Sequence, residues 1–414
     1  MSSNTYKFAH LPSYYTAELS KLKLEMNQEL ESILKFWEDN VIDFDNKNGF
    51  VGKINIHGIK FVESSISCVL ATRLLWTFSA AYRFTKKKNY KSVADHIFSY
   101  LVNYFYDKKN GGLYWELDSK GLPINKRKQA YALGFGIYAF SEYNRATKNI
   151  NSLNIAKELY NDLESKFWDS NYLGYIEALT NDWQPIDDMR LSDKDINAPK
   201  SMNTHLHIIE PYTNLYRVWP NINLKERIEK LLQIFTTKIV DAKTGHFNLF
   251  FDIKWNPVST AISFGHDIEG AWLLHEAAVA VGNKVLVKEI QKLSIKLVNL
   301  TIEKGIDKDG ALFNELDNAY LDKEKHWWPQ AEAIVGYIDA YQITKDSNYL
   351  KLALKNWKFI TNHIIDHKNG EWFWRIDATG KPNIEDDKIG FWKCPYHNSR
   401  ALMEVVCRID ECLN

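Results

Sequence analysis

The chain has no net charge to deploy: 52 Lys and Arg residues are matched by 52 Asp and Glu residues over 414 positions. Without a long-range field it is poorly suited to gathering nucleic acid or an anionic membrane surface, and a neutral small molecule is the better-matched partner. Cysteine is scarce as well. Cys68, Cys394, Cys407 and Cys412 lie far apart or outside any paired metal spacing, which disfavours a disulfide framework or a zinc ribbon and makes reduced cytoplasmic thiols the default. No uncharged apolar run approaches the roughly 18 residues needed to cross a bilayer. The opening segment MSSNTYKFAHLPSYYTAELSKLK lacks the basic-then-apolar order of a signal peptide. These absences predict a cytoplasmic protein without membrane association. Nor is there a Pro-, Ser- or Gly-rich linker or a low-complexity tract, so residues 1–414 are expected to form one domain, with a monomer as the default state.

Aromatic residues, by contrast, are plentiful: 14 Trp, 22 Tyr and 21 Phe. Flat amphipathic rings suit stacking against sugar faces, although a large aromatic core would use them equally well. A repeat helps to place them. A glycine, alternating apolar residues and a polar turn recur near Gly49, Gly112, Gly174, Gly245, Gly310 and Gly370, reading NGFVGKINIHG, GGLYWELDSKGLP, LGYIEALTNDWQP, GHFNLFFDIKWNP, GALFNELDNAYLD and GEWFWRIDATGKP. The copies lie about 60 to 70 residues apart, room for two helices and their loops. Between them, RLLWTFSAAYRFT and QAEAIVGYIDAYQIT carry apolar residues at helical spacing. Six helical hairpins predict an all-α fold, an (α/α)6 barrel with short β-hairpin-like loops at one mouth, and an open solenoid of the same hairpins is the alternative. The long polar insertion at residues 182–201 is placed to cover that mouth.

Four segments concentrate polar chemistry. Arg73 opens RLLWTF, where it either snorkels to solvent or points donors into a cavity. In SMNTHLHIIEPYTNLYRVWP, Asn203, His205 and His207 alternate ahead of Glu210, and a His-x-His pair on an extended strand can hold a metal. In SFGHDIEGAWLLHEAA, His266 and Glu269 are three apart and can meet on a helix, where the carboxylate would raise the imidazole's basicity. HWWPQAEA brings Trp327, Trp328 and Glu332, and FWKCPYHNSR brings Trp392 and His397. Two histidines far apart in the chain can act as paired proton donor and acceptor near neutral pH.

In order along the chain, RLLWTFSAAYR, MNTHLHIIE, GHDIEGAWLL, WWPQAEAIVGY and WKCPYHNSR resemble cellobiose 2-epimerases of the N-acylglucosamine 2-epimerase superfamily, from roughly Trp37 to Glu404. The resemblance implies the same barrel and inversion at carbon 2 of the reducing-end sugar of a disaccharide such as cellobiose or lactose, without metal or organic cofactor. By the same resemblance His266 and His397 are the acid/base pair, Glu269 supports His266, and Arg73 binds oxygens of the reacting sugar with Asn203 and His207 beside it. Trp328, Glu332, Trp392 and Trp272 would shape or stack the subsites, and Tyr131 would face the cleft. Two places depart from the expected pattern: FVESSISCVLA at residues 61–71, and Pro211, which is expected to reshape a loop that selects the second sugar.

Chemistry then dictates a route. The ring opens, one histidine removes the carbon 2 proton, Arg73 and His207 stabilise the enediolate, and the other histidine returns a proton on the opposite face. This requires the histidines to stand on opposite barrel helices, one neutral and one charged, with His397 the base in the glucose-to-mannose direction. Rival readings are an aldose–ketose isomerase or monosaccharide 2-epimerase on the same fold, a glycoside hydrolase using Glu269 and Glu332, and a noncatalytic sugar-binding protein.

Overall fold

Six inner helices stand side by side in a closed ring, and six outer helices wrap them. The computed structural model describes residues 13–44 and 49–413. Most of the opening segment inspected for a signal peptide, and Asn48 at the head of the first repeat, lie outside that range. The inner helices are α2 (Cys68–Thr85), α4 (Ala130–Thr147), α6 (Met202–Tyr216), α8 (Phe264–Val281), α10 (Trp327–Thr344) and α12 (Tyr396–Leu413). The outer ones are α1 (Ser13–Asn40), α3 (Lys88–Tyr100), α5 (Ile150–Asp162), α7 (Ile222–Ile234), α9 (Lys284–Gly305) and α11 (Ser347–Phe359). Each inner helix packs on the next, and α12 packs on α2, so the array is an (α/α)6 barrel rather than an open solenoid. The sixth hairpin joins the chain ends: α1 leans on α12.

Composition decides the layer. In α2 every residue from Cys68 to Ala81 is buried, as expected of a helix apolar on all sides. Outer helices keep only a stripe; α7 buries Leu224, Ile228, Leu231 and Leu232 and leaves its charges to solvent. Side chains fix the starts: Ser67 and Ser201 accept from Leu70 N–H and Thr204 N–H at α2 and α6, while Asn149, Asn221 and Asn283 cap α5, α7 and α9. One prediction is corrected here. His205 and His207 lie inside α6, not on a strand.

The glycine repeats form the turns between outer helix and sheet. Gly49, Gly112, Gly174, Gly245, Gly310 and Gly370 all have φ between +69° and +91°, which glycine adopts without strain. Two-stranded and three-stranded antiparallel ribbons then link each inner helix start to the following repeat, and Ile54 pairing with Ile389 closes this circle as well. The ribbons lie beside the N-termini of the parallel inner helices, at one mouth as predicted. At the opposite ends Arg83 and Arg145 pair with Glu142, Arg217 with Glu276 and Arg408 with Asp339, cations at helix C-termini that sit well with the helix dipoles.

A recurring piece of turn architecture inside the chain was not anticipated. An aspartate opens the turn in repeat after repeat, and three of these meet a lysine two residues before an inner helix: Lys128 with Asp107 at 2.9 Å, Lys200 with Asp169 at 2.7 Å, and Lys325 with Asp307 at 2.7 Å. Lys128 and Asp107 are both fully buried, so removing one leaves the other unpaired in the interior. Asp107→Ala should therefore cost about 3–5 kcal/mol. Asp241→Ala, at the same turn position but facing a repeat with Ile262 in place of the lysine, should cost far less, and thermal unfolding of the two variants side by side checks the difference.

Candidate active site

The chemistry sits in the first two turns of the inner helices. A cleft of about 250 Å3, open at its mouth, is lined by Arg73 from α2, Tyr131 from α4, Asn203 and His207 from α6, His266 and Glu269 from α8, Trp328 from α10, and His397 from α12. Trp392, in the loop before α12, completes that set, and Lys194 from the 182–201 insertion also reaches the cleft, which places the insertion at the mouth. His326, Trp327 and Trp374 line it too; of the three, only Trp327 stood out in the sequence, as part of HWWPQAEA, and without an assigned role. Because six helix N-termini face this end, their dipoles favour neutral imidazoles and developing negative charge.

The two proposed acid/base histidines share one tryptophan. The ring of Trp328 lies 4.7 Å from that of His266 and 5.6 Å from that of His397, centroid to centroid. Gly265 makes room for it, since a Cβ there would fall 2.5 Å from the indole. In ring order α8 and α12 flank α10, so the histidines are not on opposite helices as expected. The helices facing them across the barrel carry Arg73 on α2, opposite His266, and His207 on α6, opposite His397. Their charge states also differ from the expected pair. Burial, with His207 nearby, pushes His266 down to about 3, and burial, Arg73 and Arg400 hold His397 well below the ordinary range, so both are neutral at rest.

Behind the cleft, one guanidinium organises three buried carboxylates. Arg400 donates to Glu269 at 2.6 Å, to Glu332 at 2.7 Å and to Glu210. Glu332 in turn accepts from His397 Nδ1 at 2.7 Å, which fixes that nitrogen as the protonated one and leaves Nε2 as the basic atom. Glu210 holds His207 Nδ1 at 3.1 Å. Against the upward push of burial, Arg400 and His207 keep Glu210 down at about 2, whereas burial and Glu332 push Glu269 up to about 7. Ligand atoms of Glu269, Glu332 and His397 come within 4.8 Å of one another, a spacing that could hold a cation, but Arg400 already supplies the positive charge to both carboxylates.

Several placements correct the sequence-based assignments. Glu269 does not bond His266, whose Nδ1 instead meets Ser263 Oγ at 2.8 Å; the glutamate lies 3.8 Å from His397 Nδ1. Glu332 and Trp272 are buried outside the cleft lining, with Trp272 Nε1 donating to Glu332 at 3.1 Å, so neither is positioned to stack on a sugar. The metal reading of His205 and His207 also fails, because His205 bonds the Ser201 carbonyl and accepts from Tyr175 N–H, both ring nitrogens being satisfied in the core. Arg73 is buried and points inward, donating to Tyr131 Oη at 2.8 Å and lying 4.3 Å from the Phe135 ring, while its Nε has no partner. Sequence reasoning gave no part to Arg400 or Tyr396. Their spacing carried a signal, since Arg400 follows His397 by three residues and Tyr396 by four.

The cleft thus brings two imidazoles packed on one tryptophan together with an inward guanidinium inside the helical barrel. The chain belongs to the N-acylglucosamine 2-epimerase family, whose sequence profile matches residues 49–401. It is 44% identical to a cellobiose 2-epimerase of Bacteroides fragilis over 93% of this chain and 98% of the relative, and 38% identical to that of Dictyoglomus turgidum over 95% and 100%. The solved structure of the cellobiose 2-epimerase from Bacillus thermoamylovorans superposes with a TM-score of 0.89 at 36% identity, covering 96% of this chain and all of that one. The chain is thus a carbohydrate epimerase of the isomerase class. Among the described residues, no helix is long and apolar enough to cross a membrane.

The depressed histidine gives a stability test. An unfolded chain protonates histidine near 6.5, whereas folded His266 resists until about 3, so the unfolded state binds more protons between those values and stability drops as pH falls through them. At pH 5 this amounts to about 2 kcal/mol relative to pH 7. Chemical denaturation of wild type and His266→Asn at the two pH values should show a smaller acid loss in the variant.

Proposed function

We propose that the protein epimerises β-1,4-linked disaccharides such as cellobiose at carbon 2 of the reducing-end sugar, through an open-chain aldehyde and an enediolate. The observation that carries this reading is the packing of two neutral histidines, His266 and His397, against Trp328 in one cleft with the inward guanidinium of Arg73. The enzyme names borne by its relatives supply the substrate class. No further cofactor enters the scheme.

The protons can be followed around a closed cycle. Glu269, raised to about 7, starts protonated, and both histidines start neutral. As the ring opens, His266 takes the proton from O1 and Glu269 gives its own to O5. His266 is now the charged partner. The new carboxylate beside His397 adds to the basicity that Glu332 already confers, and His397 Nε2 removes the carbon 2 proton made acidic by the aldehyde. Arg73 faces the enediolate as a hydrogen-bond donor, joined by His207 Nε2 when that ring carries both protons, since its Nδ1–H is committed to Glu210. His266 then protonates carbon 2 on the other face, and ring closure returns one proton from O5 to Glu269 and another from His397 to O1. The neutral resting pair therefore becomes the neutral and charged pair that the chemistry needs, without an outside acid.

In deuterated water, cellobiose treated with the chelator-washed protein should become glucosyl-mannose carrying deuterium at carbon 2, read by proton NMR. Free glucose would instead indicate hydrolysis and a ketose would indicate isomerisation, either of which would sink the proposal; an inert mixture would send the test to monosaccharides. His266→Ala and His397→Ala should each lower kcat at least 100-fold, the scale of a positioned acid or base.

A second expectation concerns pH. A carboxyl raised to about 7 keeps its proton below that value and loses it above, so kcat should decline as pH climbs through about 7. Glu269→Gln, which cannot cycle a proton, should be slow at every pH and show no such decline. A wild-type profile flat from pH 6 to 8.5 would remove Glu269 from the cycle.

A further inference from the structure

We infer that Pro211 is a positioning residue for His207, breaking α6 at that histidine so that its imidazole reaches the cleft. In a regular helix the His207 carbonyl would accept the N–H of residue 211, and proline has none. The backbone departs from helical values at His207 itself, φ −87° and ψ 16°, within an otherwise continuous α6. The released carbonyl is keyed into the neighbouring inner helix: a Cβ built on Gly134 of α4 would lie 2.4 Å from the His207 oxygen. Only glycine leaves space for the displaced turn.

The side chain is then clamped from both sides. Glu210 holds Nδ1 at 3.1 Å, and the ring packs 5.2 Å from Tyr131 and 5.0 Å from Phe135, both on α4. A straight α6 would restore the missing backbone bond at the cost of that fit. Pro211 thus acts through the backbone of a residue it does not shade from the cleft, and not by selecting the second sugar through a loop. The inference rests on the reading of His207 as a donor to the enediolate.

Four proteins decide it: wild type, Pro211→Ala, His207→Ala and the double variant, assayed for kcat and KM on cellobiose, with the His207 imidazole followed by 15N-resolved NMR. Pro211→Ala should lower kcat roughly 10- to 100-fold, the penalty for misplacing a catalytic group by about an ångström. KM should move less, the imidazole signal should shift, and the loss should vanish when His207 is already alanine. Gly134→Ala should reproduce the kcat loss by pressing on the same carbonyl. Pro211→Ala with kcat within twofold of wild type and an unmoved imidazole signal would overturn the inference, as would losses that multiply in the double variant. Full activity of His207→Ala would instead remove His207 from the reaction, a failure of the mechanism that the imidazole shift in Pro211→Ala separates from a failure of positioning.

Discussion

Everything in the cleft depends on Arg400. Three carboxylates buried together would repel one another and shed their charge by taking up protons; one planar guanidinium lets them coexist. Glu210, Glu269 and Glu332 come from three different inner helices, and Arg400 from a fourth, so the cluster also ties those helices together. Each carboxylate then serves a separate purpose. Glu332 sets the tautomer of His397, Glu210 holds His207, and Glu269 keeps a buried oxygen without a partner on the cleft side of the network. One cation shared among three anions does not compensate them equally: burial and Glu332 push Glu269 up to about 7, burial raises Glu332 as well, and Arg400 and His207 hold Glu210 at about 2.

The barrel places this cluster where it can act. Inner helices run parallel, so all six bring their N-termini, with unsatisfied N–H groups and a favourable dipole for anions, to the same mouth. The opposite end is closed by arginines paired with Glu142, Glu276 and Asp339. Charge is thereby sorted by the fold: neutral histidines and an inward guanidinium at one end, saturated ion pairs at the other. The insertion that carries Lys194 reaches the cleft at the ribbon end.

Much of the architecture could be read before any coordinates. The glycines of the six repeats needed positive φ, and their spacing left room for two helices each, so number and layering followed from local chemistry. The lysine and aspartate pairs at the turns escaped notice because a lysine before an apolar helix looks like an ordinary solvent-facing residue until the partner turn folds over it. In the site, His207, His266, His397, Arg73, Asn203, Tyr131, Trp328 and Trp392 were all chosen from sequence and all line one cleft. Trp272 and Glu332 were placed one layer too far forward, since sequence spacing gives the face of a helix but not how deep that face lies within a closed ring.

Periodicity and backbone stereochemistry by themselves settled the helical hairpins, the turns and the sixfold repeat, but not that His205 and His207 fall inside an inner helix. Tertiary structure decided who partners whom. Glu269 follows His266 by three residues and could have bonded it, yet Arg400, far away in the chain, draws it aside toward His397. Local geometry permits the first contact, but a buried carboxylate is governed by the nearest permanent cation, and only closure of the ring brings that cation within reach.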